Sequence, residues 1–354
     1  MSIQKQLFGK MPDGREVYRY TLQNENLMRI SILTLGGIIQ EIVVPDREGR
    51  MTDIVCGFDA LSGYIADTSS QGALVGRFAN RIAGATLSLD GVEYPISKNR
   101  GQHHIHGGFC GFAKKLWQAT VKEGDEPTLT LSYTSPDGEE GYPGTVSASV
   151  VYQLLKNNTL SVRYLATTDK KTVFNPTNHT YFNLGGFGAG SVMEHTLWID
   201  ADAYLAADAD LIPTGEILPV AGTPFDFRTE TPIGKNINAD HPHIKLMNGY
   251  DTCYCFTGGK SASPRLRAVL FDPASGREMR VLATQPAMQL YTANGMNKAH
   301  NPFKGGVAQT PRTAVCLETG GMPDSVHHAH FASAVLDVGE VYDHTTVFAF
   351  TVRD

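Results

Sequence analysis

Apolar and polar residues alternate along much of this 354-residue chain. In residues 145–154, apolar side chains fall at every second position, at 146, 148, 150, 152 and 154. Only a strand places such a set on one face, because its side-chain period is two. Asn157-Asn158 then offers a turn, since Asn tolerates positive φ, and the alternation resumes over 160–166. These residues predict a β-hairpin.

Similar runs, rich in the β-branched and aromatic residues that suit a pleated surface, recur at 17–22, 27–35, 38–44, 86–92, 129–134, 265–271, 279–283, 287–292, 313–317 and 345–352. Helical patterns are scarce, and residues 59–66 predict one short helix. There is no strand–helix alternation and no GxGxxG fingerprint after a strand. No linker, charge block or fixed-period repeat marks a boundary. The chain is therefore predicted to be all-β, a large antiparallel β-sandwich with few short helices, formed by residues 1–354 as a single domain.

Composition and charge limit the kinds of binding partner and the cellular location that we expect for this chain. Lys and Arg number 30 against 36 Asp and Glu, a net charge of −6, which disfavours a nucleic-acid partner because phosphate-backbone binders concentrate basic residues. Five cysteines without framework spacing favour reduced thiols. The first residues lack the apolar core of a signal peptide, and no segment approaches the roughly 18 apolar residues of a membrane helix. We therefore expect a cytoplasmic protein with no nucleic-acid or membrane partner.

Five polar clusters interrupt or end apolar runs in a way that strand patterning does not require. A sandwich places such residues over the mouth or concave face of a sheet, where ligands bind. The clusters are GRFANR (76–81), HHIHGG (103–108), NHTYFN (178–183), GYD (249–251) and LET (317–319).

Three residues in these clusters are candidates for chemistry. His179 lies among hydrogen-bonding neighbours, and His106 precedes two glycines that allow a tight turn or a close approach to a ligand. Glu318 follows the apolar run 313–317, where a carboxylate is costly unless paired or functional. Local sequence leaves ordinary alternatives open for each: a buried histidine satisfied by its neighbours, a turn histidine, and a solvated glutamate at a strand end.

Metal-binding patterns are weaker. The histidines in 103–106 resemble part of a cupin site, and His327, His328 and His330 could bind a transition metal opportunistically, but the remaining ligand spacing is missing. Cys253-x-Cys255 lacks a second cysteine pair. Neither a G-x-S-x-G elbow nor a P-loop occurs. We predict no metal and no cofactor.

Seven strings together resemble the aldose 1-epimerase, or galactose mutarotase, family. They are GRFANRI (76–82), HHIHGG (103–108), EEGYPG (139–144), NPTNHTYFNL (175–184), YD (250–251), QLYT (289–292) and LET (317–319), and they occur in that family's order and at similar separations. The resemblance covers nearly the whole chain. It implies the family's large β-sandwich fold and an isomerase that interconverts the α and β anomers of hexoses such as glucose and galactose.

The resemblance also implies residue roles. His179 is the implied general acid at the sugar ring oxygen, and Glu318 is the implied general base at the anomeric hydroxyl. His106 corresponds to a second histidine near the ring oxygen. The implied sugar-binding residues are Asn80, Arg81, Tyr181, Asp251 and Gln289, with Tyr181 beside the acid.

This chain departs from the family where many relatives have Gln after the glutamate–threonine pair of LET. Here Gly320-Gly321 follows, which leaves the base in place but changes the expected rim of the pocket. Two further segments also look specific to this chain: the histidine-rich stretch 326–330 and Cys253-Tyr254-Cys255. The preferred aldose is therefore left open, as is a monomer or homodimer.

The predicted chemistry needs one base and one acid. Opening a cyclic sugar removes a proton from the anomeric hydroxyl while the ring oxygen gains one, and reclosure on the other face reverses both transfers. A glutamate with an ordinary pKa is ionised at pH 7, and carboxylates such as Glu318 and Asp251 would favour the imidazolium form of His179.

Three alternatives remain from the sequence: a sugar-binding protein without turnover, a glycosidase using Asp251 as a second carboxylate, and an epimerase of phosphorylated sugars. The last would need basic residues beyond Arg81. Retention of both His179 and Glu318 favours the epimerase.

Overall fold

The structure is a computed structural model and describes residues 2–354. Strands dominate it. In chain order, the first fourteen strands are β1 (Ser2–Lys10), β2 (Glu16–Gln23), β3 (Arg29–Leu33), β4 (Ile39–Pro45), β5 (Met51–Asp53), β6 (Leu74–Val75), β7 (Arg81–Ile82), β8 (Thr86–Leu89), β9 (Val92–Pro95), β10 (His104–Ile105), β11 (Gln118–Lys122), β12 (Thr128–Ser135), β13 (Val146–Leu155) and β14 (Thr159–Thr168).

The second half of the chain continues the same way. Its strands are β15 (Thr172–Val173), β16 (Thr177–Asn178), β17 (Thr196–Ile199), β18 (Ala201–Ala207), β19 (Pro213–Pro219), β20 (Thr231–Pro232), β21 (Asp251–Phe256), β22 (Arg265–Phe271), β23 (Arg277–Ala283), β24 (Ala287–Tyr291), β25 (Cys316–Gly320), β26 (Val335–Leu336) and β27 (Tyr342–Val352). The two α-helices are α1 (Leu61–Ala66) and α2 (Pro242–Met247). Single 3₁₀ turns cover Ala83–Ala85, Phe112–Lys114, Glu139–Gly141, Ile233–Lys235 and Lys304–Gly306.

Three antiparallel sheets build the sandwich. One has nine strands in the order β11-β12-β13-β14-β27-β23-β22-β17-β20, and two have five, β1-β2-β3-β4-β5 and β19-β18-β21-β24-β25. Isolated bridges from Phe182 to Val55 and to Val315 connect the two five-stranded sheets. The largest apolar core contains side chains from all three sheets, for example Ile32, Val150 and Leu290, so the nine-stranded sheet packs against the other two. The predicted all-β sandwich is confirmed.

The hairpin predicted from alternation is present as β13 and β14. Residues at the even positions of β13, such as Val150 and Tyr152, are buried in the core, and their neighbours are more exposed. Asn158 in the connecting turn has a φ of 57°, the left-handed conformation that Asn tolerates. A side-chain period of two was therefore sufficient to locate both strands and their turn.

Two predictions of strand boundaries need correction, and several strands, among them β1, β11, β18, β19 and β21, were missed. The run 86–92 is a hairpin, because it spans the turn at Asp90-Gly91, where both residues have positive φ. The run 313–317 lies too early: β25 begins at Cys316, so Glu318 is central in the strand and not at its end. Strand β1 was missed because its residues are largely polar and exposed, which leaves no alternation to detect.

The helix predicted over 59–66 is confirmed as α1. The second helix, α2, was missed: His241 accepts a hydrogen bond from the backbone N–H of His243 at its start, Pro242 occupies the first turn, and Asn248 ends it with a φ of 51°. Pro is tolerated in a first turn because its missing N–H would have no intrahelical partner. Within residues 2–354, no helix has the length and apolar character needed to cross a membrane.

Candidate active site

Strand pairing on the sheet β19-β18-β21-β24-β25 brings three polar side chains to one surface. Gln289 in β24 lies opposite both Cys253 in β21 and Glu318 in β25. Alternation directs these side chains outward, while Met288, Leu290 and Leu317 point into the core.

Asp251, two residues before Cys253, shares that outward surface. The Gln289 Nε2 amide donates to Asp251 Oδ1 at 2.6 Å. The sheet therefore presents Asp251, Gln289 and Glu318 side by side.

Two short strand pairs build the opposite wall. β7 pairs with β10, so Arg81 faces Ile105, and the backbone N–H of His106 donates to the Asn80 carbonyl at 3.0 Å. Asn80 and His106 both have positive φ, at 62° and 53°, which turns the chain sharply at this point. β16 pairs with β6, and His179 follows directly after β16 with its backbone N–H donating to Ala73.

All eight residues singled out from the sequence line one cavity of about 680 Å³, within the range of small-molecule sites. They are Asn80, Arg81, His106, His179, Tyr181, Asp251, Gln289 and Glu318. His179 Nε2 lies 3.6 Å from Glu318 Oε1, and both side chains are buried. Two distant segments of the chain thus place an imidazole and a carboxylate together on the cavity wall.

Aromatic packing holds His179. Its ring stacks on Tyr181 with centroids 4.9 Å apart and an interplanar angle of 15°, and the Tyr181 hydroxyl donates to the Ser69 carbonyl at 3.0 Å. The ring of His106 meets His179 edge-on at 5.3 Å. Among residues 2–354, the buried Nδ1 of His179 has no hydrogen-bond partner. Stacking, not hydrogen bonding of Nδ1, therefore orients the imidazole toward Glu318.

His106 is fixed in one protonation state. Its Nδ1 accepts the Asn80 backbone N–H at 3.1 Å, which leaves the ring proton of the neutral form on Nε2. Burial, with the nearby His179 as a smaller cause, lowers the pKa of His106 well below its ordinary value. His106 is therefore a neutral hydrogen-bond donor at neutral pH.

Burial also shifts the pKa values of both His179 and Glu318. It lowers the pKa of His179 to about 4. It raises the pKa of Glu318 well above its ordinary value, and Asp251 adds to this while Arg81 opposes it. The expectation that carboxylates would favour imidazolium is wrong for this site, because the cost of burying charge exceeds their attraction. Burial therefore favours the uncharged form of each group.

Another part of the cavity wall differs because its polar groups are paired with one another. Arg81 Nη2 lies 4.0 Å from Asp251 Oδ2, and the Arg81 backbone N–H donates to Asn80 Oδ1 at 2.8 Å. Burial lowers the pKa of Arg81, and Asp251 counters that shift. Arg81, Asp251 and Gln289 form a polar group suited to binding several hydroxyls in one orientation.

The histidine-rich segments do not converge on a metal. His104 is buried against Tyr142 and Ser97, and His103 lies 3.5 Å from Asp210, so only His106 of that string faces the cavity. His327 and His328 surround Asp324. Among residues 2–354 the three-residue group with suitable donors is His179, Cys316 and Glu318. All five cysteines are free, including the Cys253-x-Cys255 pair.

Sequence reasoning missed two residues near the chemistry. Tyr291 lines the cavity and meets Tyr181 at 6.2 Å. Asp324 is buried and holds the segment after Asn80: its backbone N–H donates to the Arg81 carbonyl at 3.0 Å, and its Oδ1 accepts from the Ala83 N–H at 2.9 Å. Period two from Gln289 indicates the position of Tyr291, but no local pattern indicates Asp324.

The fold and site define a class of protein: a β-sandwich with a buried imidazole–carboxylate pair in a polar cavity. The profile of the family described as "Aldose 1-epimerase" matches residues 18–349. The chain belongs to the aldose 1-epimerase family.

Known relatives agree over the full length. The chain is 41% identical to galactose mutarotase of Bos taurus, over 99% of each chain. It is 33% identical to aldose 1-epimerase of Escherichia coli strain K12, over 96% of each. The crystal structure of galactose 1-epimerase from Lactobacillus acidophilus superposes with a TM-score of 0.87 at 26% identity, covering 100% of this chain and 99% of that one.

Proposed function

We propose that this protein is an aldose 1-epimerase that interconverts the α and β anomers of hexoses such as glucose and galactose. The observation that carries the proposal is the 3.6 Å separation of His179 Nε2 and Glu318 Oε1 on the cavity wall. The ring oxygen and the anomeric oxygen of a pyranose are bonded to the same carbon. Two proton-transfer groups this close together can therefore serve both oxygens of one bound sugar.

In ring opening, Glu318 removes the proton of the anomeric hydroxyl and His179 gives a proton to the ring oxygen. The bond from C1 to the ring oxygen breaks, a carbonyl forms at C1, and the ring oxygen becomes a hydroxyl. Rotation about C1–C2 exposes the other carbonyl face. In reclosure Glu318 gives its proton to the carbonyl oxygen and His179 takes the proton of the ring hydroxyl, so every turnover ends with the pair as it began.

The active form of the pair is an ionised Glu318 facing a protonated His179. It has the same number of protons as the uncharged form that burial favours, so pH does not select between them. The positive charge of Arg81 stabilises the carboxylate, and the hydroxyls of a bound sugar contribute further hydrogen bonds. Binding of the sugar thus favours transfer of the proton from Glu318 to His179, which gives the form that ring opening requires.

The remaining residues position the substrate. Arg81, Asp251, Gln289 and Asn80 bind hydroxyls away from C1, which leaves C1 free to rotate. His106 donates its Nε2 proton near the ring oxygen, and Tyr181 holds His179 in orientation.

The architecture supports further proposals about the whole chain. We propose that residues 1–354 act as one domain, because the main core draws on all three sheets. Cytoplasmic placement is consistent with five free cysteines. The proposed reaction uses neither metal nor cofactor, and the chain acts as a monomer or homodimer.

Polarimetry on freshly dissolved α-glucose and α-galactose tests the activity. The wild-type protein is expected to accelerate the approach to anomeric equilibrium, and a double variant, His179→Asn with Glu318→Gln, is expected to leave the spontaneous rate unchanged. Sugar binding without acceleration would instead indicate a non-catalytic sugar-binding protein. Release of reducing sugar from aryl glycosides would indicate a glycosidase.

A further inference from the structure

Cys316 has no part in the proposed reaction, yet it lies directly beside the reacting pair. It precedes Glu318 by two residues in β25, so the two side chains share one face of the strand. The Cys316 sulfur, a Glu318 oxygen and a His179 ring nitrogen all lie within 4.8 Å of one another. All three side chains are buried.

These donors match the chemistry of zinc. Imidazole nitrogen, thiolate sulfur and carboxylate oxygen are the three ligand types that Zn²⁺ takes from proteins, and three protein ligands with one open position are typical of accessible sites. Metal–ligand bonds of about 2.0–2.3 Å in a tetrahedron separate donors by roughly 3.3–3.8 Å. The nitrogen–oxygen distance of 3.6 Å already fits. A sulfur displacement of about 1 Å completes the geometry, because no donor pair exceeds 4.8 Å.

The surroundings favour reversible binding over a permanent metal centre. A second carboxylate, Asp251, lines the same cavity together with two basic groups, Arg81 and Arg100, so a cation entering it meets no excess of negative charge. Histidines in resident metal sites donate their other ring N–H to an acceptor that fixes them. Among residues 2–354, His179 Nδ1 has no such partner. The site therefore has suitable ligands without the outer support of a resident metal.

We propose that Zn²⁺ binds reversibly between His179, Cys316 and Glu318 and inhibits the protein by occupying the place of the sugar. The metal takes the thiolate of Cys316, the carboxylate of Glu318 and an unprotonated ring nitrogen of His179, so any proton on these atoms leaves as the cation enters. The bound metal occupies both groups that move protons. Sugar and Zn²⁺ therefore exclude each other.

Co²⁺ absorption tests the site without any turnover. Co²⁺ stands in for Zn²⁺, and a thiolate ligand gives it a strong near-ultraviolet charge-transfer band. We expect this band in the wild-type protein, its loss in Cys316→Ser and Cys316→Ala, and its displacement by Zn²⁺ or by saturating galactose. A matched control is Cys253→Ser, since Cys253 is also buried and lies in the same sheet, two strands away from Cys316. That variant should keep the band.

Inhibition of mutarotation supplies the second measurement. With buffered free Zn²⁺, the apparent KM is expected to rise while kcat stays constant. Cys316→Ser should weaken this inhibition at least tenfold and retain turnover without metal.

Inhibition that persists in Cys316→Ser, or that disappears in His328→Ala, would overturn the proposal and place the metal on the histidine-rich segment 326–330. Absence of the Co²⁺ band in wild type would overturn it as well. Because the band is measured without sugar turnover, its outcome is separate from that of the epimerase assay.

Discussion

Ionisable residues in two parts of the cavity have different surroundings. On one side, His179 and Glu318 are buried with few polar partners, and burial moves the pKa of each toward its uncharged form. On the other side, the Arg81 guanidinium lies 4.0 Å from the Asp251 carboxyl group, and Gln289 donates to Asp251. With few hydrogen-bond partners, His179 and Glu318 can exchange a proton. With several partners, the side chains of Arg81 and Asp251 are held in one position, which suits binding.

The largest effect should come from removing the base. Glu318→Gln keeps the size of the side chain but cannot accept the anomeric proton, so kcat should fall by about 10²–10⁴-fold, the usual contribution of a positioned acid or base. Polarimetry measures kcat, and calorimetry should show that galactose still binds. The matched control, Asp343→Asn, changes an exposed carboxylate paired with Arg163 outside the cavity and should leave kcat unchanged. Near-normal turnover in Glu318→Gln would remove Glu318 from its role.

A smaller effect, mainly on KM, should follow from the binding side. Asp251→Asn removes the charge opposite Arg81 and a charged hydrogen-bond acceptor worth about 1.5–3 kcal/mol, which corresponds to roughly 10- to 100-fold in sugar affinity. Asp251 also raises the pKa of Glu318. The variant should therefore lose activity at a lower pH on the alkaline side. An unchanged KM together with an unchanged alkaline limb would place Asp251 outside the site.

The pH dependence of kcat/KM in the wild-type protein reports the pair itself. The pair must hold one proton, so activity should fall about tenfold per pH unit below pH 4, where His179 gains a second proton. It should fall again at high pH, as the pair loses its remaining proton through the raised pKa of Glu318. Both limbs belong to the coupled pair. An acid limb near pH 6.5, the ordinary value for histidine, would contradict the neutral His179 described above.

The smallest effect should come from Asp324, which acts on the binding side through Arg81. Asp324→Ala removes the acceptor of the Ala83 N–H, a hydrogen bond of about 0.5–1.5 kcal/mol, so KM should rise roughly two- to tenfold with little change in kcat.

A double-mutant cycle separates this positioning role from general destabilisation. In an Arg81→Lys background, Asp324→Ala should add almost nothing to KM. Asp324→Asn, which keeps an oxygen for the Ala83 N–H, should restore most of the affinity. Equal losses in both backgrounds would mean that Asp324 does not act through Arg81.

The sandwich and eight of the residues that line the cavity could be predicted from the sequence, the first from alternation and the second from the resemblance of seven strings to a family. Register could not. Glu318 was expected at a strand end because the apolar run stops at Leu317, and only its pairing with Gln289 places it inside β25. The protonation of His179 was also wrong, since charges can be counted from sequence but burial cannot. Asp324 was missed because its partners, Arg81 and Ala83, are more than 240 positions away.

The side-chain parity shared by β21, β24 and β25 has a consequence for how this protein can change. Inserting or deleting one residue within any of these strands would exchange outward groups such as Glu318 for core groups such as Leu317, which would disrupt the cavity wall and the core together. Shifts of two residues preserve the faces. Length variation in this sheet should therefore be confined to loops or occur in pairs of residues, which makes the strands poor places for tags or linkers and the intervening loops suitable ones.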